Sequence, residues 1–109
     1  MPTPDVETAH AHFWALAEAL LAAPAISEGT MMGFPCLRIE GQFFASVEHK
    51  GSRLVVKLPR TRVSELVEQG LGEPFAPAGR TFKEWIAIPY ALAETWSTRM
   101  DEARAFVGV

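Results

Sequence analysis

Three runs decide the fold of this chain: Phe34-Pro35-Cys36-Leu37-Arg38-Ile39-Glu40, Phe43-Phe44-Ala45-Ser46-Val47-Glu48 and Arg53-Leu54-Val55-Val56-Lys57-Leu58. Side chains alternate along a strand, so each run sorts its residues onto two faces. Leu37 and Ile39 oppose Cys36 and Arg38. Phe43, Ala45 and Val47 oppose Phe44, Ser46 and Glu48, and Leu54, Val56 and Leu58 oppose Arg53, Val55 and Lys57. The connections, Glu40-Gly41-Gln42 and His49-Lys50-Gly51-Ser52, are short and contain glycine, which favours antiparallel neighbours. An antiparallel meander is the economical reading.

Pro59 ends the third run because it cannot donate to a ladder. The period then changes: Val63, Leu66 and Val67 fall at i, i+3 and i+4, and Gly70 stands where a left-handed helix stop belongs. This predicts a short helix over residues 60–69. Residues 70–81 hold three glycines and two prolines and read as a loop, with Phe75 as its anchor. A last strand follows from Lys83 to Ile88, with Trp85 and Ala87 opposite Ile86 and Ile88.

Both ends read as helices. Thr3, Pro4, Asp5 and Glu7 form a helix start. Val6, Ala9, Phe13, Leu16, Ala17 and Leu20 then make an apolar stripe that Pro24 limits. Leu92, Trp96, Met100, Ala103 and Val107 repeat that spacing. The expected fold is therefore α+β: one antiparallel sheet of about four to five strands flanked by N-terminal, middle and C-terminal helices.

With 109 residues, 49% of them hydrophobic, the chain can bury one core and reads as a single domain over residues 1–109. One cysteine excludes an internal disulfide framework. No run reaches about 18 apolar residues and no leader pattern is present, so neither a membrane span nor a signal peptide is expected. The expected location is the cytoplasm.

Charge is distributed unevenly. Residues 1–49 carry six acids and only Arg38; residues 50–62 carry Lys50, Arg53, Lys57, Arg60 and Arg62 and no acid; residues 63–109 carry seven acids and four bases, for a total of −3. Arg60 and Arg62 sit in a first helical turn, where the dipole disfavours cations by about 0.3 to 1 kcal/mol. An anion held by the helix start would explain that placement, and so would pairing with Glu48, Glu65 or Glu68, or plain solvation. One sheet face would carry Cys36, Arg38, Phe44, Ser46, Arg53, Val55, Lys57, Lys83 and Trp85. Such a mixture of rings and cations stacks bases and neutralises phosphates, forms a protein contact, or lies beneath helices.

Sharper chemistry fails on spacing. His10 and His12 point to different sides of a helix and are no ligand pair. His49 lies in a turn without a partner, and Cys36 lacks a neighbouring base. Residues 72–81 miss the phosphate-loop pattern, with six residues between glycines and arginine in place of lysine. No catalytic residue, metal site or cofactor is expected.

The motifs Gly33-Phe34-Pro35-Cys36-Leu37-Arg38, Val55-Val56-Lys57-Leu58-Pro59, Glu84-Trp85-Ile86-Ala87-Ile88-Pro89 and Ala103-Arg104-Ala105-Phe106-Val107 give the chain its resemblance to the MmcQ/YjbR-like family. It is also similar to the N-terminal domain of TfoX-type competence regulators through Met31-Met32-Gly33 and Glu73-Pro74-Phe75. The similarity runs from about Ala9 onward, and its motifs bear the fold. It implies an α+β domain with an antiparallel sheet, a DNA-binding role, and no active-site residues.

Three functions follow as expectations. The first is a non-enzymatic regulatory domain that contacts nucleic acid through Arg53, Lys57, Arg60, Arg62 and Lys83, although an acidic chain gains little from phosphate neutralisation. Next comes protein contact or self-association through Arg38, Phe44 and Trp85. Third is a small-molecule anion binder using Arg80, Lys83 and Trp85 between the glycine-rich loop and the sheet.

Overall fold

Glu40 and Gly41 both have positive φ, 50° and 83°, the geometry of a two-residue hairpin turn whose twist matches that of its strands. They join the second strand of the sheet to the third. The structure, a computed structural model, describes residues 6–31, 34–48 and 51–108. The expected cap at Thr3, Pro4 and Asp5, the Met32-Gly33 pair, His49 and Lys50 lie outside the described residues.

In chain order the elements are α1 (Val6–Leu21), β1 (Ile26–Met31), β2 (Phe34–Ile39), β3 (Gln42–Val47), β4 (Leu54–Lys57), α2 (Arg60–Glu68), β5 (Glu73–Pro74), β6 (Trp85–Ile88) and α3 (Trp96–Val107). A 3-10 turn over Tyr90–Thr95 leads into α3. Among the described residues the sheet has six strands in the order β1-β2-β3-β4-β6-β5, with every neighbouring pair antiparallel. The expected α+β class and helix-flanked antiparallel sheet are what the chain adopts. The sheet is wider than expected by its two edge strands, β1 and β5.

Helix α2 ends as its sequence dictates. Gly70 takes φ 73°, and its N–H donates to the Val67 carbonyl at 3.1 Å while Leu71 N–H reaches back to Leu66 at 2.9 Å. Only a residue without a Cβ enters that left-handed region cheaply.

All three helices contribute to the main core on one sheet face. Ala9, Phe13 and Ala17 come from α1, Val63 and Leu66 from α2, and Trp96, Met100 and Ala103 from α3. They meet Leu37, Phe44, Leu54, Val56, Ile86 and Ile88 of the sheet. Each large side chain fully buried there contributes about 1.5 to 3 kcal/mol. The opposite face carries a smaller cluster, Val55, Ala87 and Phe75, with Phe82 and Trp85 packed against it. Phe75 is 5% exposed, so residues 70–81 are anchored where expected.

Candidate functional site

The basic residues fall into two groups. Arg53 is held by carboxylates: its Nε and Nη2 donate to the two oxygens of Glu48 at 2.9 and 2.7 Å, and Nη1 donates to Glu73 at 2.8 Å. The bonds to Glu48 are the main reason its pKa is raised even further. Arg62 donates through Nε to Glu102 at 2.8 Å and through Nη1 to Glu65, and these bonds, Glu102 first, raise its pKa too. Both guanidiniums are committed to the fold.

Lys57, Arg60, Arg80 and Lys83 form no ion pair among the described residues. They line one cleft of about 450 Å³ together with Thr81, Phe82, Glu84 and Trp85. Four cations face one acid there.

The local folding of three segments produces this gathering. Lys57 is the last residue of β4 and stands opposite Trp85, the first of β6. One residue on, Leu58 N–H donates to the Glu84 carbonyl at 3.0 Å. Pro59 then turns the chain into α2 without a side-chain cap, so the amides of Arg60, Thr61 and Arg62 precede the first helical bond, Val63 N–H to Pro59 at 3.0 Å. The third segment is the loop before β6. A 3-10 turn at Pro77–Gly79, ending in Gly79 at φ 79°, reverses it. Phe82 N–H donates to Phe75 at 2.9 Å and Trp85 N–H to Phe82 at 3.1 Å. The Arg80 guanidinium lies over the Phe82 ring, 6.0 Å from its centre.

A second cleft of about 460 Å³ adjoins the first and shares Arg60, Thr81, Phe82, Lys83 and Trp85 with it. Its remaining lining is Val63, Ser64, Val67 and Glu68 of α2 and Pro74 of β5. Both volumes fall within the roughly 300 to 1,000 Å³ of small-ligand sites.

The expected site residues therefore separate. Lys57, Arg60 and Lys83 come together, joined by Arg80 and Trp85; Arg53 and Arg62 do not belong. Sequence reasoning missed the walls made by Ser64 and Glu68, which look like an ordinary helix surface until β5 and the loop are laid beside them, and read Val67 only as part of the apolar stripe. The spacing of Arg80 and Lys83 around Thr81-Phe82 was the available signal for the loop side.

Arg38, Phe44 and Trp85 form no common interaction face. The pairing register of β2 with β3 shifts between Leu37 and Arg38, so that Arg38 faces Phe43. Alternation is interrupted, Phe44 turns into the helix-covered core with no exposure, and the Arg38 guanidinium lies 5.9 Å from the centre of the Phe43 ring. Arg38 also crosses Gly29, where a Cβ would stand 2.6 Å from Nε, and donates Nη2 to the Glu28 carbonyl at 3.1 Å. Two strands, β3 and β4, separate it from Trp85.

The other candidate groups have structural partners. His10 Nε2–H donates to the Glu48 carbonyl at 2.6 Å and His12 Nε2–H to the Ala93 carbonyl at 3.2 Å, so the two imidazoles do point apart. Burial, opposed only by nearby Arg38, pushes the Cys36 thiol up to about 11; at neutral pH it is no nucleophile. Among the described residues no cluster of three or more His, Cys, Asp or Glu side chains has the geometry of a metal site, and no helix is long and apolar enough to cross a membrane.

Comparison with protein-family models, curated proteins and solved structures gives no match in any of the three.

Proposed function

We propose that this chain is a non-enzymatic binding domain that holds nucleic acid, as a single strand, in the cleft between β4, α2 and the loop before β6. The observation that carries this reading is the set Lys57, Arg60, Arg80 and Lys83, without carboxylate ion-pair partners among the described residues, around one concavity. Trp85 and Phe82 add ring surface to the same walls, and a cationic groove with aromatic platforms is the general solution for a flexible strand. A duplex is too broad for a cleft of about 450 Å³, whereas one or two nucleotides of a strand are not. Membership in the MmcQ/YjbR-like family is proposed on the motifs quoted above, and its implied DNA-binding role agrees with this reading.

Anisotropy of a labelled single-stranded DNA at several salt concentrations tests it. With two or three phosphates engaged, the logarithm of the association constant should fall with log salt at a slope of about −1.4 to −2.1. Arg60→Glu and Lys83→Glu should each abolish binding at moderate salt, while Arg104→Glu, an exposed change on α3, should not. Absence of binding at low salt, or equal loss in all three variants, rejects the cleft as the site.

Self-association is a second reading, favoured by β1, a six-residue strand at one edge of the sheet among the described residues. Exposed edges invite pairing with another chain. Sedimentation that finds only monomer at high concentration removes it.

A further inference from the structure

Helix α2 carries its charges backwards. Its first turn holds Arg60 and Arg62 and no acid, and its last residue is Glu68, with no base in the last turn. Both placements oppose the helix dipole. Arg62 has Glu102 and Glu65 as partners, but Arg60 and Glu68 have no ion-pair partner among the described residues; Arg60 lines both clefts and Glu68 lines the second. Along the helix these two residues stand about 12 Å apart, eight steps of 1.5 Å. The cleft system is thus cationic at one end, apolar at Val63, Val67 and Pro74, and acidic at the other end.

We infer that the second cleft is a guanine pocket: strand phosphates lie along Lys57, Arg60 and Lys83, the base lies between Trp85 and the Val63 and Val67 side of α2, and the Glu68 carboxylate reads the base edge. This inference rests on the nucleic-acid reading of the first cleft. A carboxylate is acceptor-only and offers two parallel oxygens. Guanine alone among the common bases presents two adjacent donors, N1–H and the N2 amine. Adenine and cytosine set one amine beside an acceptor, and thymine flanks one N–H with two carbonyls, so each brings a lone pair against Glu68. Ser64, one turn before Glu68 on the same helix face, has a hydroxyl that rotates to accept or donate.

Four pentanucleotides, abasic except for a central guanine, adenine, cytosine or thymine, separate the possibilities in low-salt anisotropy titrations, with inosine as a fifth base. Guanine should bind about tenfold or more tightly than the others, the discrimination expected of one bidentate base contact. Inosine, which lacks the N2 amine, should fall between. Glu68→Gln, an exposed substitution, should weaken the guanine strand about tenfold and should not weaken the thymine strand, whose carbonyl lone pairs no longer face a carboxylate. Equal binding of all bases, or a guanine preference that survives Glu68→Gln, overturns the base assignment while leaving the strand-binding cleft standing. Failure of every strand to bind rejects both. Competition by free guanosine monophosphate at the affinity of the strand assigns the pocket to a mononucleotide, and weak competition assigns it to the polymer; the guanine preference holds in either case.

Discussion

Lys57 and Trp85 stand directly opposite each other on neighbouring antiparallel strands, so a cation and an indole leave the sheet side by side at the floor of the cleft. The two should act on different parts of a bound strand. Trp85→Leu removes a stacking platform worth about 1 to 3 kcal/mol, so single-stranded DNA should bind roughly 5- to 150-fold more weakly with an unchanged salt slope. Lys57→Gln removes one phosphate contact and should flatten the slope by about 0.7. Salt titrations of both variants check this division. A changed slope in Trp85→Leu, or an unchanged one in Lys57→Gln, contradicts it.

The parts of this fold that were legible in the sequence are those where one physical signal dominates. The hairpin at Glu40-Gly41, the strand-ending Pro59 and the Gly70 helix stop were all readable because steric rules leave few alternatives. Strand β1 was not. Of Ile26-Ser27-Glu28-Gly29-Thr30, only Ile26 is buried, so no alternation marks it, and pairing with β2 makes it a strand. Similarly β5 is two residues long inside a glycine- and proline-rich stretch. The site was half legible for a related reason. Charge can be read locally, but the choice between a neutralised and a free arginine depends on residues as distant in sequence as Glu102 is from Arg62.

The register shift in β3 yields a stability prediction that inverts the simple alternation. Phe44 is fully buried among the helix-facing residues and Phe43 is half-buried beside Arg38. Phe44→Ala should cost about 3 to 5 kcal/mol, enough to lower the melting temperature by 10 °C or more in a domain of this size. Phe43→Ala should cost about 1 kcal/mol. Urea unfolding of the two variants checks the order. Uninterrupted alternation predicts the reverse.

Arg53 joins the end of β3 to the sheet edge through Glu48 and Glu73. Its side chain is 29% exposed, so solvent screens part of the interaction, and Arg53→Gln should cost about 1 to 2 kcal/mol. That loss should shrink at high salt. Binding of single-stranded DNA, by contrast, should not change, because the guanidinium is committed to carboxylates. Denaturation and anisotropy on one variant decide both points. Weakening of binding comparable to that of Lys57→Gln would return Arg53 to the site.

Glu102 ties α2 to α3 and gives stability a predictable acid limb. Burial works to raise its pKa, but hydrogen bonds from Arg62 and Arg99 outweigh it and hold the carboxyl below its ordinary value of 4.5. A group whose folded pKa is depressed contributes its full stabilisation above the unfolded value and loses it as pH falls through the folded one. Glu102→Gln should therefore be less stable than the parent at pH 7, by about 1 kcal/mol for a partly exposed pair. The difference should narrow steadily below pH 4.5 as the parent carboxylate takes up its proton and resembles the amide. Urea midpoints of both proteins at pH 7, 5, 4 and 3 measure this convergence, and a gap that stays constant down to pH 3 would mean that the Arg62 and Arg99 bonds do not favour the ionised form.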